Sequence, residues 1–358
     1  MEKFKVKSLE FRVKSLSLVA RHLSLVACRL SLITLFALLF SSCHVHEWPK
    51  GGMEAFKLNL DFSTAFERID YPYGESKADG RSRYYSIELT EGVISYTVKA
   101  FPLVDGNVDR NIYLEFNFMR DIKQGFNASF DLNLDPGEYT VMVFAQLAKS
   151  AEGPFYYDDS NFWSIKLQGE YEGDTNYRDA FRGLSSIVVG ESNTATMQMT
   201  RPLAKYEFIS TDLAEFFTKE EARVKSKGLE TRNSLEDYDV VFYYIGYTPT
   251  AYNLPEDRNV DSKTGLTFTS VPEVLTEDEV SLGFDYVFCS TTETHVTLQI
   301  ALYDRESGER VSLSQQIRIP LMRSFDTIVT GSFLFENADS GIGVNPDFAG
   351  EYNQFFDI

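Results

Sequence analysis

Residues 54–62 read EAFKLNLDF. Phe56, Leu58, Leu60 and Phe62 fall on one parity, and Lys57, Asn59 and Asp61 on the other. Successive side chains of a strand point to opposite faces, so this period of two predicts a half-buried β-strand with one apolar and one wet face. The same period recurs along the chain. YTVKAFPL (96–103) and IYLEFNFM (112–119) read as strands separated by the turn-rich VDGNVDRN (104–111). ASFDLNL and EYTVMVFAQ (128–134 and 138–146) flank Asp135-Pro136-Gly137 and read as a hairpin, because Pro presets one turn angle and Gly permits another. FWSIKLQ (162–168) and TATMQMT (194–200) continue the alternation.

A second series begins near Arg201-Pro202 with RPLAKYEFIST (201–211). YDVVFYYIGYT (238–248), VSLGFDYVFCS (280–290), HVTLQIALYD (295–304), VSLSQQIRIP (311–320) and DTIVTGSFLF (326–335) follow as strands. DRESG (304–308) is a turn, and YNLPEDRNVDSKTG (252–265) reads as a long polar loop. LAEFFTKEEARVKS (213–226) has helical character. Short strands at this spacing, without βαβ alternation, predict antiparallel sandwiches rather than a parallel α/β sheet. A length of 358 residues, 43% hydrophobic, suggests two domains, placed at 54–203 and 204–358. Aromatics at 14%, with Phe 29 and Tyr 20, suit sheet cores.

The amino-terminal segment has a different grammar. Seven basic residues and only Glu2 and Glu10 precede residue 43, and the apolar run LSLITLFALLF (30–40) ends in Ser41-Ser42-Cys43. A basic region, an apolar run too short to span a bilayer and small residues before a Cys predict a lipoprotein signal over 1–42, with an over-extended start. Cys43 would be acylated, and several chains on one Cys anchor a protein where one would not. HVHEWPKGG (44–52) reads as a tether, so 43–53 is a lipidated linker. The membrane is expected to be reached through the lipid on Cys43.

Net charge is −19 overall; without the first 42 residues, 27 basic and 51 acidic residues remain, a net −24. That charge repels phosphate backbones, so nucleic acid is not an expected partner. Of Cys28, Cys43 and Cys289 only the last lies in the globular part, which excludes a disulfide framework there. No GxSxG, HExxH, phosphate-binding or dinucleotide motif occurs, and after the signal the only His are His44, His46 and His295. The expectation is a protein that is not an enzyme, with no catalytic residues, cofactor or metal. Asp105-Gly-Asn107-Val-Asp109-Arg-Asn111 alternates oxygen ligands like a calcium loop, but Arg110 occupies the sixth position and Phe116 the twelfth, so a hairpin loop is the better reading. YYDDS (156–160) and YEGDTNYRDAF (171–181) could bind sugars or be Tyr-rich turns.

The order of these segments resembles the Bacteroidales fimbrillin-like lipoproteins, the superfamily of major and minor fimbrial subunits and their anchors. The likeness rests on Cys43 followed by HEWPKGG and a first strand, on LDPGEYTVMVFAQ, on NYRDAFRG leading to TRPLAKYEF, on IPLMRSFDTIVTGSFLF and on GIGVNPDFAGEYNQF. It spans residues 43–358, and Ser324 stands where the family usually has Asn.

The resemblance implies two tandem transthyretin-like antiparallel β-sandwich domains, at the outer membrane or cell surface. It also implies cleavage after an Arg beyond the first strand and filling of the vacated groove by a strand of another subunit. In this sequence the removable strand is Glu54–Phe62, the candidate cleavage sites are Arg68, Arg81 and Arg83, and the donor is the tail 350–358 with Tyr352, Phe356 and Ile358 on one parity. Partners would be other fimbrial subunits or further copies of the chain, with surface glycans or proteins as adhesion targets. An uncut anchor is equally compatible with the resemblance. The alternative is a surface glycan-binding lipoprotein of a nutrient-uptake system.

Overall fold

The computed structural model describes residues 52–65, 89, 91–228, 234–290 and 294–334. Alternation becomes strand where expected. In the first half these are β1 (Glu54–Asp61), β2 (Val93–Val104), β3 (Asn107–Val108), β4 (Leu114–Asp121), β5 (Ala128–Leu134) and β6 (Gly137–Ala148). They are followed by β7 (Tyr157–Asp158), β8 (Ile165–Leu167), β9 (Ala180–Val189) and β10 (Thr194–Gln198). One sheet has the order β10-β1-β5; the facing sheet runs β2-β6-β9, with β4 on the free side of β2. Between them lies an apolar core containing Phe56, Leu58, Leu60, Phe62, Tyr96, Val98, Phe130, Leu132, Val141 and Phe181.

The second half holds β11 (Leu203–Ser210), helix α1 (Leu213–Lys227), β12 (Tyr238–Tyr244), β13 (Thr248–Asn253), β14 (Arg258–Lys263) and β15 (Thr267–Ser270). Then come β16 (Glu273–Val274), β17 (Val280–Phe288), β18 (Thr294–Asp304), β19 (Arg310–Leu313), β20 (Ile317–Leu321) and β21 (Asp326–Gly331). Strands β17-β11-β21 form one sheet with β16 beyond β17; β15-β12-β18 form the facing one, with β19 and β20 both on β18.

Strand for strand, this topology repeats the first half. β1, β2, β4, β5, β6, β9 and β10 correspond to β11, β12, β15, β17, β18, β20 and β21. In each set the first strand lies between an antiparallel neighbour (β5 or β17) and a parallel one, the last of the set (β10 or β21). The sandwiches are thus antiparallel apart from these two parallel pairs.

The Asp135-Pro136-Gly137 turn does not close a hairpin. β5 pairs with β1 and β6 with β2 and β9, so the turn carries the chain from one sheet across the core to the other. Turn chemistry fixes the reversal, but the partners are chosen by burial: β5 has one wet face, whereas β6 is buried on both and needs cover on each side. A real hairpin turn sits instead between β2 and β3. Asp105 and Gly106 both have positive φ, 51° and 76°, as a two-residue primed turn requires. This is the segment whose oxygen ligands alternate, and Asp109 there accepts the backbone N–H of Asn111.

Three further expectations change. The polar loop at 252–265 contains β14, paired with β13; β14 is largely exposed on both faces, so it shows no alternation. VSLSQQIRIP is two strands, broken where the Ser314 hydroxyl accepts the Ile300 N–H and displaces a regular ladder partner. The helical segment is a full helix: Leu213, Phe216, Glu220 and Val224 are its buried positions and left-handed Gly228 ends it. Glu220 is buried against Arg223 and the Tyr238 hydroxyl. Among the described residues, no helix is long and apolar enough to cross a membrane.

β6 explains how the halves meet. Its inner face (Tyr139, Val141, Val143) enters the first core, and its outer face (Met142, Phe144) enters a third cluster with Phe101, Tyr157, Phe162, Leu203, Tyr252, Leu254, Tyr286 and Phe288. That cluster draws on both halves. Over it lies a sheet of mixed origin, β14-β13-β8-β7, in which FWSIKLQ contributes only the short β8.

Candidate functional site

The segment 54–62 is the middle strand of its sheet. β1 pairs in parallel with β10 (Leu58 opposite Ala195, Leu60 opposite Met197) and antiparallel with β5 (Phe56 opposite Leu132, Leu58 opposite Phe130). Phe56, Leu58, Leu60 and Phe62 are each exposed by no more than 2%. Burying side chains of this size is worth about 1.5–3 kcal/mol each, an upper figure because unfolded chains already hide some apolar surface. Phe62 ends the apolar row in an aromatic nest, 5.1 Å from Phe181, 5.8 Å from Phe126 and 6.3 Å from Tyr96 between ring centres.

The outer face of β1 is wet and shallowly bonded. Lys57 and Asp131 lie 3.7 Å apart with both side chains more than half exposed. Asn59 donates to the Thr194 hydroxyl and accepts from Ser129. Asp61 accepts from the Ser63 N–H and from Gln198, and these hydrogen bonds hold its carboxyl below the ordinary value. Asn59 and Asp61 also floor an open polar hollow lined by Arg120, Asn127, Ser129 and Thr196.

Beyond Phe62 a single 3₁₀ turn, Ser63–Ala65, takes the chain to a buried charge. Arg201, 1% exposed, donates from Nη1 to the Ala65 carbonyl and from Nε to Asp179 Oδ2 at 2.9 Å. Asp179 is 0% exposed, and its other oxygen accepts the Ala180 N–H. Next to it, Arg178 reaches into the second half: Nη1 lies 2.7 Å from Asp285 Oδ1, and Nη2 donates to the Tyr286 carbonyl. Tyr171 and Tyr244 each donate to Asp285 Oδ2 at 2.6 Å. Burial holds the Asp179 and Asp285 carboxyls above the ordinary value, with the neighbouring guanidiniums pulling the other way.

Of the residues singled out from the sequence, the structure brings Phe56, Leu58, Leu60 and Phe62 together. Cys43, Arg68, Arg81, Arg83, Tyr352, Phe356 and Ile358 lie outside the described residues, as do His44 and His46. Cys289 is a buried core residue and His295 a strand residue of β18. In the Tyr-rich loops Tyr157 and Tyr171 turn inward, donating to the Arg178 carbonyl and to Asp285, while Tyr177 and Tyr156 donate at the surface to the Glu91 carbonyl and to Glu172. Sequence reading missed Arg178, Asp179 and Arg201 as a group. The available signal was Arg201 standing alone at the head of an apolar strand segment, 22 residues after Asp179, which no periodicity links.

Solved structures match this chain at low similarity. An adhesin candidate from Bacteroides thetaiotaomicron matches at a TM-score of 0.45 with 10% identity, covering 84% of this chain and 98% of that one. A cell-adhesion candidate from Bacteroides eggerthii matches at 0.39 and 11%, covering 85% and 90%. The fimbrial anchor protein Mfa2 from Porphyromonas gingivalis matches at 0.32 and 10%, covering 73% and 82%. No curated protein matches the sequence. A family model does match, over residues 57–357, from the first buried strand to the tail, and the chain belongs to that family, the family of unknown function DUF6562.

Proposed function

We propose that the protein is a cell-surface lipoprotein, anchored through Cys43, that serves as a fimbrial or adhesin subunit or anchor and assembles by β-strand complementation. The observation that carries this reading is the placement of β1: a middle strand with Phe56, Leu58 and Leu60 buried on one face, Phe62 buried just past its end, and the polar Lys57, Asn59 and Asp61 on the wetter face. Its removal would leave β5 and β10 with unpaired edges on either side of an apolar slot. Such a slot is filled by another strand of the same alternation, whose backbone completes both ladders. Cleavage after Arg68, Arg81 or Arg83 would release β1, and the tail 350–358 of another copy, with Tyr352, Phe356 and Ile358 on one parity, would replace it. The role is assembly and adhesion rather than catalysis.

The test is treatment of the purified chain from residue 44 onward with a trypsin-like protease, followed by sizing. Release of a fragment containing 54–62 together with stable oligomers is expected, with deletion of 350–358 abolishing the oligomers. Oligomers unaffected by the deletion, or a cleaved chain that stays monomeric, would refute the mechanism. The glycan-binding alternative has less support, since Tyr157 and Tyr171 in the candidate sugar loops are committed to buried or half-buried hydrogen bonds within the chain.

A further inference from the structure

We infer that Arg201 reads the strand that occupies the place of β1, and that a fitting partner strand must bring a backbone carbonyl three residues beyond the side chain that takes the place of Phe62. The inference rests on the strand-replacement reading above and adds a requirement to it.

Arg201 lies three residues past the end of the parallel neighbour β10, and two of the groups that fix it stay with the body of the protein. Asp179 holds Nε, and the Phe181 ring lies 5.2 Å from the guanidinium carbon. Its partner at Nη1, the Ala65 carbonyl, belongs instead to the departing segment, because all three candidate cleavage sites lie beyond residue 65. A guanidinium cannot discard its proton, and an unmet charged donor in a buried site is costly. A replacement strand that fills the slots of Phe56, Leu58, Leu60 and Phe62 but stops there leaves Nη1 without the acceptor that Ala65 supplied. One that continues through a turn like Ser63–Ala65 restores it. Apolar alternation therefore determines whether a strand enters the slot, and the carbonyl at the position of Ala65 determines whether it is held.

The test uses the chain from residue 44 with a specific protease site inserted among residues 70–80, nicked and then exchanged with synthetic peptides. One peptide is Met53–Glu67. A second carries an ester in place of the Ala65–Phe66 amide, which weakens the Ala65 carbonyl as an acceptor. A third carries the ester between Ser63 and Thr64. The Ala65 ester should bind about tenfold more weakly than the all-amide peptide, as expected for a hydrogen bond to a charged group, and the Ser63 ester within about twofold of it. In Arg201→Met the Ala65 ester and the amide peptide should bind alike. Equal binding of the two esters to the unaltered protein overturns the inference. So does an undiminished deficit of the Ala65 ester in Arg201→Met. The ester comparison needs no protein variant, so it stands even if Arg201→Met does not fold. Failure of even the all-amide peptide to enter overturns the strand-replacement reading itself, and the inference with it.

Discussion

β1 and β11 occupy the same place in two copies of one topology, yet they are held differently. Both are middle strands with a parallel partner on one side and an antiparallel partner on the other. β1 turns its polar face to water. β11 is buried nearly throughout, with Glu207 6% exposed and accepting from Ser281, and with Lys205 3.3 Å from Asp326 and over the Phe284 ring. Withdrawing β11 would strand buried charged groups; withdrawing β1 opens apolar surface and ladder edges that any alternating strand can satisfy, with Arg201 as the exception. On the proposed strand exchange, β1 would differ from the permanent β11 in what its second face is bonded to.

The largest expected effect lies at the buried charges between the halves. Arg178→Met leaves Asp285 buried without its cation and should cost about 3–5 kcal/mol in urea unfolding. A loss below about 1 kcal/mol would show that the halves do not depend on this pair. Within β1, Leu58→Ala should cost about 2–5 kcal/mol, because Leu58 is fully buried at the centre of the strand. The comparison is sharpest for the outward lysines. Lys205→Ala should cost about 1.5–3 kcal/mol, whereas Lys57→Ala, in an exposed pair, should stay within about 0.5 kcal/mol. Equal losses would remove the distinction between the strands.

Acid should separate them further. The Asp61 carboxyl titrates below its ordinary value of 3.8 in the folded protein, so its contribution is present above that pH and is lost as pH falls through the lower folded value. Asp61→Asn should flatten that part of the stability profile measured between pH 5 and pH 2, to about the small extent typical of an exposed group. A profile unchanged by the substitution would show that these hydrogen bonds add nothing to the hold on β1.

Much of this was legible in the sequence because the decisive signal is local. The parity of Phe56, Leu58, Leu60 and Phe62 predicts a strand and its buried face without knowledge of its neighbours. What parity cannot convey is pairing. Ala128–Leu134 and Gly137–Ala148 alternate on either side of a strong turn, and only the need to cover both faces of the latter sends them to different sheets. β14 escaped notice because a strand wet on both faces has no period. The Arg201–Asp179–Ala65 contact joins three distant positions through one buried guanidinium, and nothing in the spacing announces it. Ser324 shows the reverse case: it has φ 64°, a left-handed conformation that Asn tolerates better, so the Asn usual in the resembling family has a physical reason there.

On the proposed function β1 is a separable strand. The most direct test of this is the mature amino terminus of the protein taken from its native envelope, read by intact mass and peptide sequencing. A chain beginning just after Arg68, Arg81 or Arg83, without lipid and without residues 54–62, is expected of an assembled subunit. An acylated Cys43 still continuous with the whole chain in the assembled material would contradict it.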